Sequence, residues 1–368
     1  MLPKNNITFV TVFKEFKSFH LRKDVGMIPF LMGKKLGTKS KVFVTEDIDM
    51  SALPQSENHL EIIKVPYKSK VCFYLYVLYF LRKGHFIVNT YHYKKSNLVL
   101  NFFLKLINKK IITYIKLDIS PEYSKGMFDR VKWFNRIFRD TLIKFTTYIS
   151  VENKLCYEHL RDYGMINGKL LHIPNGISLP CMQELKAKVN NKKNIIMTAG
   201  RLGTEQKNTE LLLKSFIESN LSNEWELVLA GTVEKSFMPK LEEAINLHNN
   251  IKYLGSLSER DLFNVLSVAK IFCLSSRWEG FPLVLPEAAA HKCVVIGTDV
   301  GGVRDIVNGG DYGLVVSAEL SLLEAFNQVE MLDLDNMSNG IQEYCFNNFD
   351  WDVIISKLLL ELTKSTAR

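Results

Sequence analysis

The sequence lacks the features of disulfide-linked, repetitive or disordered proteins. Its six cysteines are scattered and include no C-x-x-C pair: Cys72, Cys156, Cys181, Cys273, Cys293 and Cys345. This distribution, often within apolar runs, is typical of reduced and buried cysteines in a cytoplasmic protein. The sequence also has no internal repeat and no low-complexity tract, so we expect the whole chain to fold.

Long hydrophobic runs are also missing. The longest, Val71–Leu81, ends at Arg82 and Lys83, and it has about half of the roughly 20 residues needed to span a bilayer. The first six residues lead directly into a strand-like segment and lack the apolar stretch of a signal peptide. We therefore expect a cytoplasmic protein without a transmembrane segment.

Acidic residues are scarce in the first half of the chain. Residues 1–180 contain 29 Lys and Arg against 14 Asp and Glu, whereas residues 181–368 contain 18 against 25. The net charge of +8 therefore combines a first half of +15 with a second half of −7. A basic first half favours a phosphate-bearing partner, such as a nucleic acid, an anionic bilayer or a lipid pyrophosphate.

The chain of 368 residues is long enough for two hydrophobic cores. Short β-branched or aromatic runs alternate with helical stretches, which predicts an α/β fold with two doubly wound, Rossmann-like domains. We predict strands at 7–13, 41–44, 86–89, 111–116, 148–151 and 169–173, and then at 194–199, 226–230, 251–253, 271–274, 294–297 and 313–316.

The turn Pro174-Asn175-Gly176 marks the predicted domain boundary. We place an N-terminal acceptor-binding domain at 1–176, a linker at 177–193, a C-terminal nucleotide-sugar-binding domain at 194–345 and a C-terminal helix at 346–368. The two domains should face a central cleft, and the last helix should pack back on the first domain.

A basic and aromatic segment covers residues 125–144. Its spacing is typical of an amphipathic helix, which can lie on an anionic bilayer with its aromatic side down. A helix that faces the core and exposes its basic side explains the pattern equally well. The basic first half of the chain favours the membrane interpretation, with the protein peripheral on the inner face of the plasma membrane.

The stretch Ser276–Ala290 contains a strand end, a Gly/Pro loop and an alanine-rich helix. Free N–H groups in such a loop and at the helix start predict an anion site. If the helix begins near Pro282, Glu279 and Glu287 face the same cleft. An isolated Glu at either position would be explained by the helix dipole, but the Gly-Phe-Pro context favours a ligand site.

A second strand, glycine and helix turn carries Arg201 and Lys207. Arg201 offers a bidentate fork for phosphate oxygens, and Lys207 offers a mobile point charge. The turn is not a P-loop, and the chain contains no G-x-G-x-x-G. In a polar loop such residues are usually solvated, so this motif gains weight only together with Glu279 and Glu287.

Together these residues resemble the retaining glycosyltransferase family four, which has the GT-B fold. The resemblance is strongest over residues 194–316. The matching segments, in the family's order, are Ala199-Gly200-Arg201 with Lys207, Leu229-Ala230-Gly231, Tyr253-Leu254-Gly255, Glu279 with Glu287, and Gly301-Gly302-Val303.

The resemblance implies a role for each matched residue. Arg201 and Lys207 would hold the donor diphosphate, Glu279 would lie beside the transferred sugar, and Glu287 would bind the ribose. Further donor contacts would come from the glycine turn, from the segment that seats the base and from the Gly/Pro loop: Gly200, Leu257, Gly280, Phe281, Pro282, Leu283 and Val284.

The first domain matches the family less well. Gly26 is the candidate for the family's loop glycine near the donor phosphates, although the usual double glycine is missing. Where many members have a histidine near the sugar, this sequence has Lys116 and Asp118. Asp118 would contact a sugar hydroxyl or the acceptor, or it is a simple turn former. His92 is an alternative, although a lone histidine is more often structural.

The resemblance implies transfer of a hexosyl unit from a nucleotide-diphosphate sugar, UDP in preference to GDP, to a glycan or polyprenyl-diphosphate-linked acceptor. Capsule, O-antigen or lipopolysaccharide synthesis would use such a step. No His/Cys cluster is present, so we expect no metal or other cofactor. The alternatives are a non-hydrolysing sugar-nucleotide epimerase, a sugar-binding protein with a dead donor site, or a basic protein that binds membranes or nucleic acid; no nucleic-acid motif supports the last.

Overall fold

The computed structural model describes residues 7–51, 53, 59–127, 133–164, 166–177, 191–317 and 320–364. The chain divides into two compact units. The first unit comprises 1–119, 123–175 and 351–368, and the second comprises 120–122 and 176–350. Most of the predicted linker, at 178–190, lies outside the described residues. The last division falls after Asp350, five positions later than the sequence indicated.

The first unit contains a seven-stranded parallel sheet in the order β3-β2-β1-β4-β5-β6-β7. Its strands are β1 (Ile7–Val12), β2 (Ser40–Val44), β3 (Leu60–Lys64), β4 (His85–Tyr91), β5 (Ile112–Lys116), β6 (Tyr148–Val151) and β7 (Leu170–His172). Six of these confirm the predicted strands. The remaining strand, β3, was not predicted. This edge strand buries only its first residue, Leu60, and therefore shows no apolar alternation.

Six helices precede residue 176. They are α1 (Asp24–Leu36), α2 (Lys70–Leu81), α3 (Lys95–Ile107), α4 (Pro121–Ser124), α5 (Trp133–Leu142) and α6 (Lys154–Arg161), in the part of the chain that the structure describes. Buried residues of α2 and α3 share one core cluster with strands β1, β2 and β4.

The predicted single helix across 125–144 is wrong. Residues 125–127 form a turn in which Gly126 is left-handed, with φ 69°, and 128–132 lie outside the described residues. Helix α5 begins at Trp133 and is followed by a 3-10 turn, Ile143–Phe145. Leu142 and Ile143 are buried in the core of the first unit, whereas Ile137 and Phe138 are exposed. The segment therefore has a core-facing side and an outer side that exposes Arg136 together with Ile137 and Phe138.

The second unit contains a six-stranded parallel sheet in the order β10-β9-β8-β11-β12-β13. Its strands are β8 (Lys193–Ala199), β9 (Glu226–Ala230), β10 (Ile251–Tyr253), β11 (Ala269–Leu274), β12 (Val294–Thr298) and β13 (Gly313–Val316). All six confirm the predicted strands to within two residues, because each is an apolar run bounded by turn residues.

The helices of the second unit cover both faces of this sheet with two core clusters. They are α7 (Thr209–Glu218), α8 (Met238–Leu247), α9 (Glu259–Val268), α10 (Val284–Ala290), α11 (Val303–Ile306), α12 (Leu322–Gln328) and α13 (Leu334–Phe349). The last helix, α14 (Trp351–Lys364), belongs to the first unit. It packs against α1, where Lys35 and Asp352 form an ion pair of 3.3 Å.

The structure also shows where the cysteines lie and how long and apolar the helices are. Cys156, Cys273, Cys293 and Cys345 are buried free thiols, but Cys72 is exposed on α2, contrary to expectation; Cys181 lies outside the described residues. Within the described ranges, no helix combines the length and the apolar character needed to cross a bilayer.

Candidate functional site

The candidate site lies where the strand order of the second sheet reverses. Strands β8 and β11 are neighbours, and the chain winds outward from them in opposite directions. In open α/β sheets, ligands bind beyond the carboxyl ends of the strands at such a reversal. The loops that follow these two strands, 200–208 and 275–283, carry the polar residues singled out in the sequence.

Lys207 and Glu279 connect these two loops. The Nζ of Lys207 lies 2.7 Å from Oε1 of Glu279, and the hydroxyl of Ser276 donates to the same oxygen at 2.8 Å. Both charged side chains are mostly shielded from water, which strengthens a charge-assisted hydrogen bond. The structure therefore brings together two predicted site residues from separate motifs.

Gln206 extends this pair to Arg201. Its Oε1 accepts a hydrogen bond of 2.6 Å from Arg201, and its Nε2 donates to Oε2 of Glu279 at 3.3 Å and to the Trp278 carbonyl at 3.1 Å. Sequence reasoning gave no role to Gln206 or to Ser276. Their only signal was position, since one directly precedes Lys207 and the other lies three residues before Glu279.

Arg201 remains available to a ligand. The side chain is exposed, and among the described residues Gln206 is its only hydrogen-bond partner. A guanidinium has five N–H donors, so most of them stay open to an anion. The arrangement therefore presents the exposed guanidinium of Arg201 beside a largely shielded ion pair.

Three glycines bring the neighbouring loops close together. Gly200 donates its N–H to the Ala230 carbonyl, and Gly231 donates to the Gly255 carbonyl at 2.7 Å. A Cβ on Gly231 would lie 1.8 Å from the Gly200 carbonyl oxygen, and its φ of 126° also excludes most side chains. Only glycine fits here. Leu257 lies two residues after Gly255, and its partly buried side chain packs against the core, which leaves its backbone as the part that can meet a base.

The Gly/Pro loop differs from expectation in two respects. Helix α10 begins at Val284 rather than near Pro282, and Pro282 has no N–H to donate. Phe281 points into the core, where its ring lies 5.8 Å from that of Phe349, so it can serve a ligand only through its backbone. In this loop, only Gly280, Phe281, Leu283 and Val284 therefore have a backbone N–H group that could donate to a ligand.

Glu287 is buried in the first turn of α10. Its carbonyl accepts from Nδ1 of His291 at 2.8 Å, and the His291 ring stacks on Phe263 at 5.3 Å. This helical turn is therefore fixed by packing. Its proposed contact with a ribose stays a prediction.

Gly26 lies inside α1 and not in the predicted loop. Its N–H donates to the Lys23 carbonyl at 3.0 Å, so the amide is not open to a phosphate. An added Cβ would lie 2.4 Å from the Cα of Leu21. The glycine is therefore required by close packing of α1 against the preceding 3-10 turn.

Lys116, at the end of β5, lies in a buried ion cluster. Its Nζ pairs with Glu152, lies 3.3 Å from Asp24 and donates to Asn175 at 3.2 Å. Asp118, the predicted site residue, lies two positions further on and is exposed. The structure therefore makes Lys116 part of the interior and leaves Asp118 accessible.

The charges in this cluster do not balance, since one lysine faces two carboxylates. Burial alone would lower the pKa of Lys116, but the carboxylates of Glu152 and Asp24 outweigh it and raise that pKa. Burial raises the pKa of Glu152 from 4.5 to about 8, against the opposing effect of Lys116. The cluster therefore holds an extra proton near neutral pH.

His92 lies at the reversal point of the first sheet, directly after β4. Its φ is 66°, a left-handed conformation that is uncommon outside glycine, and its N–H donates to the Lys116 carbonyl at 2.9 Å. Burial lowers its pKa, although the charge of Asp118 opposes the shift. Burial therefore favours the neutral ring. Strain of this kind often accompanies function.

The chain contains two Asp-x-Asp pairs whose carboxylates are candidate metal ligands, Asp47 with Asp49 and Asp333 with Asp335. In the first, Asp47 pairs with Lys64 at 2.5 Å and Asp49 accepts from Ser51. In the second, Asp333 caps helix α13. Within the ranges that the structure describes, no group of three His, Cys, Asp or Glu side chains is arranged to hold a metal ion.

The candidate site lies within a match to a known family model. Residues 183–343 match the family described as glycosyl transferases group 1, and this span contains Arg201, Gln206, Lys207 and Glu279. The match therefore identifies a group 1 glycosyltransferase domain at 183–343, in agreement with the sequence motifs, and it covers less than half of the chain.

Two curated relatives align with parts of the chain. An uncharacterized 41.2 kDa protein in the cps region of Klebsiella pneumoniae is 26% identical over 242 residues, 63% of this chain and 64% of that protein. The Escherichia coli UDP-Gal:alpha-D-GlcNAc-diphosphoundecaprenol alpha-1,3-galactosyltransferase is 28% identical over 231 residues, 59% of this chain and 58% of that enzyme. The chain thus spans less than two thirds of either relative.

The fold matches solved structures over nearly the whole chain. The crystal structure of HepE from Anabaena in complex with UDP has a TM-score of 0.70 at 16% identity, covering 98% of this chain and 100% of the other. This likeness confirms the predicted GT-B fold.

Proposed function

Because residues 183–343 form a group 1 glycosyltransferase domain, we propose that this protein is a retaining glycosyltransferase. It transfers a hexosyl unit from a nucleotide-diphosphate sugar to a hydroxyl of a glycan or lipid-linked acceptor in cell-surface polysaccharide synthesis. The observation that carries the proposal is the hydrogen-bonded connection from Arg201 through Gln206 to Glu279 and Lys207.

Arg201 and Lys207 are suited to the donor diphosphate. Arg201 is exposed and has open donors, whereas Lys207 is held by Glu279 at 2.7 Å. An arriving pyrophosphate can compete for the ammonium, since phosphate oxygens and carboxylates are both strong acceptors for it. Glu279 would then be left to accept from sugar hydroxyls. The pair thus couples binding of the donor's diphosphate to binding of the donor's sugar.

The transfer itself is a substitution on one face of the sugar. The bond from the anomeric carbon to the diphosphate oxygen breaks, and a bond from that carbon to the acceptor oxygen forms on the same side. The acceptor's proton passes to the departing diphosphate. Arg201 and Lys207 stabilise the negative charge that develops on this group. No enzyme carboxylate acts as a nucleophile, unlike in a retaining glycosidase.

UDP is the nucleotide that the comparisons favour. HepE was crystallised with UDP, and the Escherichia coli relative is named for UDP-Gal and a diphosphoundecaprenol acceptor. The Klebsiella relative is named for the cps region. Together with the basic first half of the chain, these names support a polyprenyl-diphosphate-linked acceptor at the cytoplasmic face of the plasma membrane.

Thermal unfolding with UDP, GDP or ADP tests the donor. A ligand that binds the folded state stabilises it by about 2.7 kcal/mol at a hundred times its Kd, so UDP alone should raise the Tm by several degrees.

Radiolabelled UDP-hexoses are then incubated with and without polyprenyl-diphosphate sugar, in EDTA. Labelled lipid with the donor's anomeric configuration supports the proposal. A changed donor without acceptor would instead identify an epimerase, and no change with any donor would contradict transfer.

A further inference from the structure

Helix α2 is apolar around its whole circumference although one side of it faces solvent. No charged residue occurs from Val71 to Leu81. Phe73, Val77 and Leu81 are fully buried. On the opposite side, Val71, Leu75 and Tyr79 are 67%, 59% and 65% exposed. These three are spaced four residues apart and form one line, where a helix of an ordinary soluble protein is polar.

Helix α3 enlarges this apolar surface. It packs against α2 and shares a core cluster with it. Near its end Phe103, Leu106 and Ile107 are exposed on one side. We call these six residues the α2–α3 face: Val71, Leu75, Tyr79, Phe103, Leu106 and Ile107. Single exposed apolar residues are normal, but a group on adjoining helices marks an interaction surface.

The chain segment that carries this face has charges of one sign only. Residues 62–117 contain no Asp or Glu and eleven Lys or Arg. Exposed members flank both helices: Lys68, Lys70, Arg82, Lys83, Lys109 and Lys110. Arg82 lies over the Tyr79 ring at 3.7 Å, so one of these cations directly adjoins the apolar line. Two carboxylates from other segments lie beside these helices, where Glu15 pairs with Lys94 and Glu61 with Lys41, so cations predominate around the apolar centre.

This charge pattern discriminates between occupants. A second copy of the chain would place the same cations opposite each other in a two-fold interface, where they repel. Anionic headgroups would neutralise them, while the apolar side chains enter the headgroup and acyl boundary. We infer that the α2–α3 face docks the protein on an anionic lipid bilayer.

The inference relocates the membrane contact that the sequence assigned to residues 125–144. Helix α5 packs beside α3 and exposes Ile137 and Phe138, so it adjoins the docking surface rather than forming it alone. The inference goes beyond the proposed function, since binding to a bilayer requires neither donor nor acceptor. The two can therefore fail separately.

Vesicle flotation with the full chain tests the surface. Vesicles of phosphatidylglycerol and phosphatidylethanolamine are compared with vesicles of phosphatidylcholine. The triple variant V71S/L75S/Y79S removes the exposed line of α2 without touching the core. A matched control, L247S/M331S/L360S, removes three equally exposed apolar residues elsewhere, at 70%, 77% and 60% exposure.

The wild type should bind the anionic vesicles at least about tenfold more tightly than the neutral ones, and less tightly as salt rises. The α2 variant should lose at least about tenfold, and the control should bind as the wild type does. Equal loss in both variants, unchanged binding of the α2 variant, or no vesicle binding by the wild type would overturn the inference. So would a dimer in sedimentation equilibrium that only the α2 variant dissociates.

The UDP thermal shift separates this result from the proposed function. Both triple variants should keep the wild-type shift, which also shows that they fold. A wild type that binds vesicles without responding to any nucleotide would count against the glycosyltransferase alone. A wild type that responds to UDP but ignores vesicles would count against the docking surface alone.

Discussion

Lys207 and Glu279, 72 positions apart in the chain, form an ion pair of 2.7 Å between the loops after β8 and β11. The two strands are adjacent in the sheet, so the pair spans the point at which the strand order reverses. The same two loops are also joined by Gln206, which donates to Glu279 and to the Trp278 carbonyl, and by Ser275, which donates to the Lys207 carbonyl.

Loss of either basic residue should reduce catalysis strongly. We expect Arg201→Ala or Lys207→Ala to lower kcat by roughly 10²–10³, as does loss of one group that stabilises developing charge. Initial rates with labelled donor measure the effect. Lys214→Ala, at an exposed position on α7, is the matched control and should keep the wild-type rate. Near-normal rates in both site variants would reject the assignment of the diphosphate site.

Gln206 should matter although no motif contains it. Gln206→Leu removes the hydrogen bonds to Arg201 and Glu279, so the guanidinium loses its fixed position. We expect kcat/KM for the donor to fall about tenfold, which corresponds to about one net hydrogen bond. Glu205→Leu, at the exposed neighbouring position, should have little effect. An equal fall in both variants would indicate general damage to the loop instead.

The buried cluster around Lys116 should make stability depend on pH. Between pH 4.5 and about 8, the unfolded state releases the proton of Glu152 while the folded state keeps it. The free energy of unfolding should therefore fall as pH rises through this window. Glu152→Gln should reduce this pH-dependent decrease in the free energy of unfolding, by an amount on the order of a few kcal/mol. Urea denaturation from pH 5 to 9 measures it.

Glu210→Gln is the control for this prediction. Glu210 forms an exposed ion pair with Lys240, and such pairs contribute little to stability. Its pH profile should match that of the wild type. Identical slopes for the wild type and Glu152→Gln would show that Glu152 does not retain the extra proton.

Gly231→Ala should destabilise the second unit by more than its backbone conformation explains. Gly231 and Gly310 have similar φ values, 126° and 131°. A Cβ on Gly231 would collide with the Gly200 carbonyl, whereas none of the described atoms lies within 4 Å of one on Gly310. We expect Gly231→Ala to cost about 1–3 kcal/mol more than Gly310→Ala. Equal costs, measured by urea denaturation, would mean that the loop yields without strain.

The sequence predicted the strands better than it predicted the residues between them. Buried parallel strands are continuous apolar runs, so β9 and β13 were placed to the residue. Strand β3 was missed because only Leu60 of this edge strand is buried. Gly26 was misplaced because a glycine needed for helix packing and a glycine needed for a loop look alike in one sequence.

The sequence by itself determined the two βα-type sheets and the position of Arg201 and Lys207 in the turn after a strand, because apolar periodicity and turn chemistry are local properties. Only the tertiary structure decided that Gln206 connects Arg201 to Glu279 and that Lys116 is buried against Asp24 and Glu152. These contacts join residues that are distant in the chain, and they depend on which strands become neighbours. The exposed line of α2 also depended on the tertiary structure, since the apolar run alone did not predict which side of the helix would face solvent.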